Sequence, residues 1–336
     1  MSGFRAYRIR DDGRFGAGRL ERMSRAELDR GEVVVRVAYA GVNYKDALTA
    51  SGRARMARKF PLVGGTDLSG VVESSEDRRF APGDEILIHS FGLGSHHDGG
   101  FAEIGRFPAE WIFALPGGLS LLEAAALGVA GHSVGVAIEL VQLNGIGPER
   151  GKVLVNGATG GVGSIAVDVL SKLGYHVTAL TGKPGMAEYL HALGAAEVLA
   201  RDAVIAEGRP LESERWAAAF DSVGGAQLEW LLRTARRDAV IASIGNASGN
   251  TFEGNVLPFI LRGVRLVGVN VNNPVETKLR IWRRLATDWK PRHFERFVRR
   301  IALAALPQAF DDLLAARVCG RQVVDFSLDR EAGGSD

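Results

Sequence analysis

From Lys152 onward, short β-branched apolar runs alternate with stretches in which apolar residues recur every three or four positions. The runs at 152–156, 175–180, 196–200, 217–222, 239–244 and 264–270 read as buried strands, and the intervening helices are expected to begin near 164, 186, 226 and 256. Six strands alternating with helices predict an α/β fold with a doubly wound parallel sheet. Before Lys152 the pattern differs. Residues 1 to about 124 carry short runs such as Phe4–Ile9, Val33–Ala38, Val71–Glu73 and Glu85–His89. Asp11-Asp12-Gly13, Arg30-Gly31 and Phe80-Ala-Pro-Gly-Asp84 supply turns between them. A partly open barrel or sandwich is expected there, with one helix starting within Ala40–Leu48. Leu121–Leu127 and Gly131–Leu143 read as helical, and the chain turns helical again beyond Asn273-Pro274. Gln322–Leu328 reads as a strand returning to the first domain, and Glu331–Asp336 as a frayed tail.

The most informative junction is Lys152-Val-Leu-Val-Asn-Gly-Ala-Thr-Gly-Gly-Val-Gly163. Strand, glycine turn and helix follow one another, and Ala158-x-Gly160-x-x-Gly163 is a dinucleotide fingerprint with alanine in first place. Backbone without side chains can approach a pyrophosphate, whose charge then faces helix N–H groups and the helix dipole. A tight structural turn is the plainer alternative. The next strand bears on the cofactor. An NAD site usually ends this strand in Asp or Glu, to accept from the ribose hydroxyls. Here it closes with Thr181-Gly182-Lys183, and no acid occurs before Glu188. A hydroxyl, backbone N–H groups and Lys183, with Arg201 after the following strand, favour a 2′-phosphate and therefore NADPH over NADH. The alternative for Lys183 is an ordinary solvated loop lysine.

Composition narrows the remaining classes. The 336 residues suffice for two domains, and a net charge of +2 points to neither nucleic acid nor membrane. A single cysteine, Cys319, excludes disulfide scaffolds and cysteine-rich zinc sites, and it reads as C-terminal packing. No signal-peptide core and no apolar run long enough to span a bilayer are expected, so a cytoplasmic protein is expected. Residues 278–300 are basic and carry Trp282, Trp289 and Phe297. Nucleic-acid binding is one reading; because Ile281, Leu285 and Trp289 share a helical face, a buried stripe with solvated arginines opposite is the stronger one.

Val42-Asn-Tyr-Lys-Asp-Ala-Leu48, Gly157-Ala-Thr-Gly-Gly-Val-Gly-Ser164, Asp221-Ser-Val-Gly224 and Pro258-Phe-Ile-Leu-Arg-Gly-Val-Arg-Leu-Val-Gly-Val269 stand in this order. Together they resemble the zinc-independent medium-chain dehydrogenase/reductases, in particular the acrylyl-CoA reductase and quinone-oxidoreductase-like branch. The resemblance runs from Ala6 to about Phe326. It implies a GroES-like catalytic domain from 1–124 and 271–336, a Rossmann NADPH-binding domain over 125–270, an active site in the cleft, and a homodimer. It further implies cofactor contacts at Tyr44, Thr159, Gly160, Gly161, Val162, Thr181, Gly182, Lys183, Arg201, Asn246, Ile260 and Val271, Asn246 differing in residue type from its counterpart. Three segments depart from the family pattern: Gly64-Gly65, the loop Ser95-His96-His97-Asp98, and Gly268–Pro274, which lies near the nicotinamide in this fold.

Zinc-dependent members carry a cysteine and a Gly-His-Glu where this chain has Asn43-Tyr44-Lys45 and Gly65-Thr66-Asp67. A tetrahedral catalytic zinc therefore lacks two ligands, and adjacent His96 and His97 do not make up the set, so no metal is expected. Without a Lewis acid, reduction of an activated C=C bond or of a quinone is expected rather than oxidation of a plain alcohol. The leading expectation is an oxidoreductase acting on CH–CH bonds, with a short 2-enoyl-CoA such as acryloyl-CoA as substrate. NADPH:quinone or general enone reduction comes second, and an NADPH-binding regulatory or RNA-associated protein third. Tyr44 is the expected catalytic residue, beside the nicotinamide, with a core aromatic as the plainer reading. Lys45 and Asp46 are expected to pair and fix a turn, and Asn43 to bond backbone.

Overall fold

The computed structural model describes residues 3–13, 16–204 and 207–328, so the tail at 331–336 lies outside the described residues. Its contacts divide the chain into two compact units, 1–130 with 298–336, and 131–297. The division falls elsewhere than the boundaries at 124/125 and 270/271 expected from sequence. The helix after Pro274 belongs with the second unit, to which an ion pair from Arg280 to Glu139 ties it.

The chain begins with β1 (Phe4–Arg10), β2 (Ala17–Met23), β3 (Val33–Gly41), α1 (Tyr44–Ala50), β4 (Leu62–Val63), β5 (Asp67–Ser75) and β6 (Glu85–His89). β7 (Ile104–Phe107), β8 (Phe113–Ala114) and α2 (Leu121–Leu143) follow. β3, β5 and β6 pair antiparallel, Val37 opposite Gly70 and Ser69 opposite Leu87. Their alternate residues Val33, Val35, Val37, Ile86 and Ile88 form a core with Phe101, Phe107 and Phe310. α2 breaks at Gly128, whose φ of 42° and ψ of −138° lie outside the helical region, between the two helical stretches read from sequence. Among the described residues, α2 alone is by length and composition apolar enough to cross a bilayer. In the protein it is a core helix: 83% of its most apolar window is buried.

The second unit holds β9 (Val153–Asn156), α3 (Gly161–Lys172), β10 (Val177–Thr181), α4 (Ala187–Ala192) and β11 (Glu197–Ala200). It continues through β12 (Trp216–Asp221), α5 (Gly225–Thr234), β13 (Ala235–Ser243), α6 (Leu257–Arg262), β14 (Arg265–Gly268), α7 (Val275–Leu285) and α8 (Phe294–Phe297). The sheet order β11-β10-β9-β12-β13-β14, parallel throughout, is that of a dinucleotide-binding fold, with the topological switch between β9 and β12. Leu154, Leu180, Ala219 and Ile241 from its strands pack with Trp216 and Trp230. The chain then returns to the first unit with β15 (Val298–Ile301), α9 (Leu306–Leu314) and β16 (Arg321–Asp325). β16 pairs antiparallel with β3, Val324 opposite Ala40, which is the return expected from sequence.

Candidate active site

In the second unit, the expected cofactor residues converge at the C-terminal ends of the strands, where open α/β sheets bind ligands. Thr159 and Gly160 close the turn after β9, and Gly161 and Val162 open α3. No side chain caps the first turn of α3, so its N–H groups remain available to an anion. Gly163 is needed for another reason: a Cβ there would lie 2.3 Å from the Gly157 carbonyl oxygen and 2.6 Å from Ala158 Cα. Any side chain would push helix from strand.

At the end of β10, the buried Thr181 hydroxyl lies 3.3 Å from that of Thr159 and accepts from the Lys183 N–H at 3.1 Å. That N–H is therefore not one of the free donors expected from sequence. Arg201, exposed after β11, lies against Gly182, where an added Cβ would come 2.9 Å from its Cζ. A guanidinium and a hydroxyl at this strand end fit a phosphate on the ribose.

At the switch point, Asn156 Nδ2 donates to Asp221 Oδ1, while Asn156 Oδ1 accepts from Ser222 N at 2.7 Å. Asp221 also accepts from Val223 N and Gly224 N, so the crevice edge is held by side chains from β9 and β12. Burial raises the Asp221 carboxyl above its ordinary range. Of the other three expected contacts, Asn246 and Val271 follow the C-terminal ends of β13 and β14, whereas Ile260 lies on α6. Asn246 is exposed after β13 and bonds to Asn250; Ile260, 69% exposed, sits on α6 beside Val256 and Leu261. Val271 follows β14, and its carbonyl accepts from the Lys278 ammonium. Lys278 is buried on α7, not solvated as its place in a basic stretch suggested.

In the first unit, Tyr44 opens α1 and is 39% exposed. Beneath it is a buried ionic cluster that sequence reasoning missed. Asp46 Oδ2 accepts from Asn43 N at 2.8 Å and caps α1, whereas Lys45 is exposed, so the expected Lys45–Asp46 pair does not form. Asn43 Nδ2 donates to Thr66 Oγ1 and Asp67 Oδ2, each at 3.0 Å, and its Oδ1 accepts from Arg321 Nη1 at 3.0 Å. Asp67 also accepts from Gly41 N and Val129 N, and Arg321 Nη2 lies 3.9 Å from it. Gly128 belongs to this cluster: a Cβ there would meet Asp67 Oδ2 at 2.2 Å, so the break in α2 makes room for the carboxylate. Burial, then the charge of Asp67, pushes Asp46 up to about 7. Burial raises Asp67 as well, against the pull of Arg321. One local signal existed, Asn43 and Asp46 at N-cap and N3 spacing; Arg321 lies 278 positions from Asn43, and no spacing links them.

His97 is buried with both ring nitrogens on main-chain carbonyls, those of Asp98 and Arg30, each at 2.9 Å. Among the described residues no group of three or more His, Cys, Asp or Glu is arranged to hold a metal ion.

Comparison with known proteins agrees with this architecture. The family model described as alcohol dehydrogenase GroES-like domain matches residues 29–117, and that described as zinc-binding dehydrogenase matches 161–287. The acrylyl-CoA reductase AcuI of Ruegeria pomeroyi is 41% identical over 310 residues, covering 92% of this chain and 94% of that protein. The chain belongs to the medium-chain dehydrogenase/reductase family. Within it, the Bacillus subtilis protein YhfP, named a quinone oxidoreductase, is also 41% identical, over 90% of this chain and 92% of its own. Among solved structures, the Salmonella enterica yhdH oxidoreductase in complex with NADP has a TM-score of 0.92 at 38% identity, over 96% and 99% of the two chains. YhfP with NAD bound has a TM-score of 0.93 at 39% identity, over 97% and 100%. This medium-chain dehydrogenase/reductase is thus an oxidoreductase with a GroES-like domain and a Rossmann domain.

Proposed function

We propose that this oxidoreductase is zinc-independent and uses NADPH to reduce an activated C=C bond, its substrate a short 2-enoyl-CoA such as acryloyl-CoA. The hydrogen-bonded set Asn43, Thr66 and Asp67 carries this reading. At the positions where zinc-dependent relatives present metal ligands, this chain has an amide and a hydroxyl engaged with each other. A reaction that needs no Lewis acid suits such a donor set. NADPH, when bound, supplies the hydride.

The chain's own residues have distinct tasks. The first-turn amides of α3 hold the pyrophosphate, and Thr181, Lys183 and Arg201 hold the 2′-phosphate. The NADP-bound relative supports this assignment. Tyr44 orients the enoyl thioester and donates to the oxygen on which enolate charge develops. Asp46, capping the helix that carries Tyr44, is a positioning residue. Asn246, Ile260 and Val271 complete the cofactor contacts.

A homodimer is part of this proposal. β14 is the edge of the six-stranded sheet, and Val256 just before α6 and Ile260 and Leu261 on it are 64%, 69% and 51% exposed. An unpaired edge beside an apolar patch suits a second copy. A cytoplasmic location also belongs to the proposal. The RNA-associated reading loses support because Arg280, Arg284 and Arg300 pair with Glu139, Asp288 and Asp325.

NADPH:quinone reduction remains the second reading, favoured by the identity to YhfP, which equals that to AcuI. The deciding experiment follows nicotinamide absorbance with acryloyl-CoA, crotonyl-CoA and a benzoquinone, using NADH as the cofactor control. Turnover of acryloyl-CoA with NADPH, strongly reduced in Tyr44→Phe, is expected. Quinone turnover without enoyl-CoA turnover would replace the first reading with the second.

A further inference from the structure

Directly after Tyr44 the surface becomes basic. Lys45 is exposed on α1, and the segment behind that helix exposes Arg53, Arg55 and Arg58. Among the described residues none of the four forms an ion pair. Lys59, next in the chain, does, with Asp29. Asp12 lies near the start of this segment, its Oδ2 3.5 Å from the Cβ position of Gly52, and its Oδ1 accepts from Gly16 N.

The segment is anchored through its main chain. Arg53 N donates to the Leu48 carbonyl at 3.0 Å, Ser95 Oγ to the Met56 carbonyl at 2.6 Å, and Arg58 N to the Ser95 carbonyl at 3.0 Å. Ala57 is buried, while Ala54 and Met56 are half-buried between the exposed arginines. The backbone is thus tied down on the inner side, and the cationic side chains project outward from fixed points. Like charges held together without neutralising acids repel one another, and they also concentrate a positive potential at one place. Guanidinium forks match phosphate oxygens in pairs.

We propose that Lys45, Arg53, Arg55 and Arg58 bind the phosphates of a coenzyme A thioester whose acyl end is handled by Tyr44. This rests on the enoyl-CoA reading and adds to it the part of the protein that selects the carrier. A coenzyme A ester joins a reactive acyl group to a diphosphate and a 3′-phosphate through a long neutral arm. The surface has a matching division, an exposed phenol followed by a cationic segment. A quinone would leave that segment without a role.

The test uses the triple variant Arg53→Gln/Arg55→Gln/Arg58→Gln, with kcat and KM measured at saturating NADPH. Acryloyl-CoA is compared with its neutral N-acetylcysteamine analogue. The wild type should prefer the CoA ester, and the variant should lose that preference by on the order of thirty-fold, mainly through KM. The wild-type KM for the CoA ester should also rise with salt more steeply than the variant's. No wild-type preference, or an equal fall on both substrates, would overturn the proposal. If neither thioester is reduced, calorimetry of coenzyme A binding to the NADPH-loaded protein decides. Binding weakened about ten-fold in the variant keeps the phosphate site while the enoyl-CoA reading falls. Absent or unchanged binding removes the site, as would an oligonucleotide that binds these arginines more tightly than coenzyme A.

Discussion

The ammonium of Lys278 on α7 donates to the main-chain carbonyl of Val271, so a buried charge holds the segment just past β14. Burial lowers this lysine from its ordinary value of 10.5 to about 8. His132, buried and within reach of that charge, is pushed down to about 3 and stays neutral at working pH. Lys278→Met should release Val271 and raise the KM for NADPH by about ten-fold, with a smaller loss of kcat. Stability gives an independent readout. Between pH 8 and 10.5 the unfolded chain binds a proton that the folded chain does not, so this lysine makes the wild type more stable as pH rises through that window. Melting curves of the variant should lack that rise.

Arg201 against Gly182 predicts a cofactor-selective defect. Arg201→Ala should cost about 1.5–3 kcal/mol of NADPH binding, roughly ten- to hundred-fold in KM, and leave NADH kinetics nearly unchanged. Steady-state kinetics with both cofactors checks this. An equal loss on both would mean that Arg201 serves the fold and not the 2′-phosphate.

Asp46 titrates in the opposite sense to Lys278. Its folded value, about 7, lies above the ordinary 3.8, so the folded chain holds a proton that the unfolded chain has lost between those values. Stability from this group is complete below about pH 4 and falls as pH rises to 7, by up to about 4 kcal/mol. Asp46→Asn imitates the protonated form and should flatten that part of the profile. Denaturant melts at pH 5 and pH 8 compare the two proteins. A slope unchanged in the variant would place the pH dependence in other groups.

Ile260→Asp puts a charge in the middle of the exposed patch on α6. The expected outcome is a shift from dimer to monomer in sedimentation, with the melting temperature of the monomeric unit changed little, because Ile260 is 69% exposed within one chain. A wild type that sediments as a monomer would remove the dimer from the proposal.

The second unit was legible because parallel strands buried on both faces read as continuous apolar runs; the run at 217–222 differs by one residue from β12, Trp216–Asp221. β2 was not, since Ala17–Met23 buries only Met23 and owes its register to pairing with β1. β15 was hidden in a basic stretch read as helical, with Arg299 and Arg300 exposed and the pairing supplied by β16. The glycine turn between β9 and α3 was readable as a local motif. Asp67 and Arg321 were not, because a distant guanidinium and a carboxylate leave no periodic trace in the chain. Lys278 was misjudged for the converse reason: its neighbours are solvated cations, and only packing reveals that it faces inward.

Because β16 pairs with β3, the first unit depends on a segment synthesised after the whole second unit. Asp67 is made early and buried, yet its partner Arg321 emerges only after the whole second unit has left the ribosome. The inserted unit has every strand of its sheet within one continuous stretch and is able to fold while the first still waits. On the ribosome, then, the dinucleotide fold comes first, and the unit carrying Tyr44 is completed only once β16 has followed it.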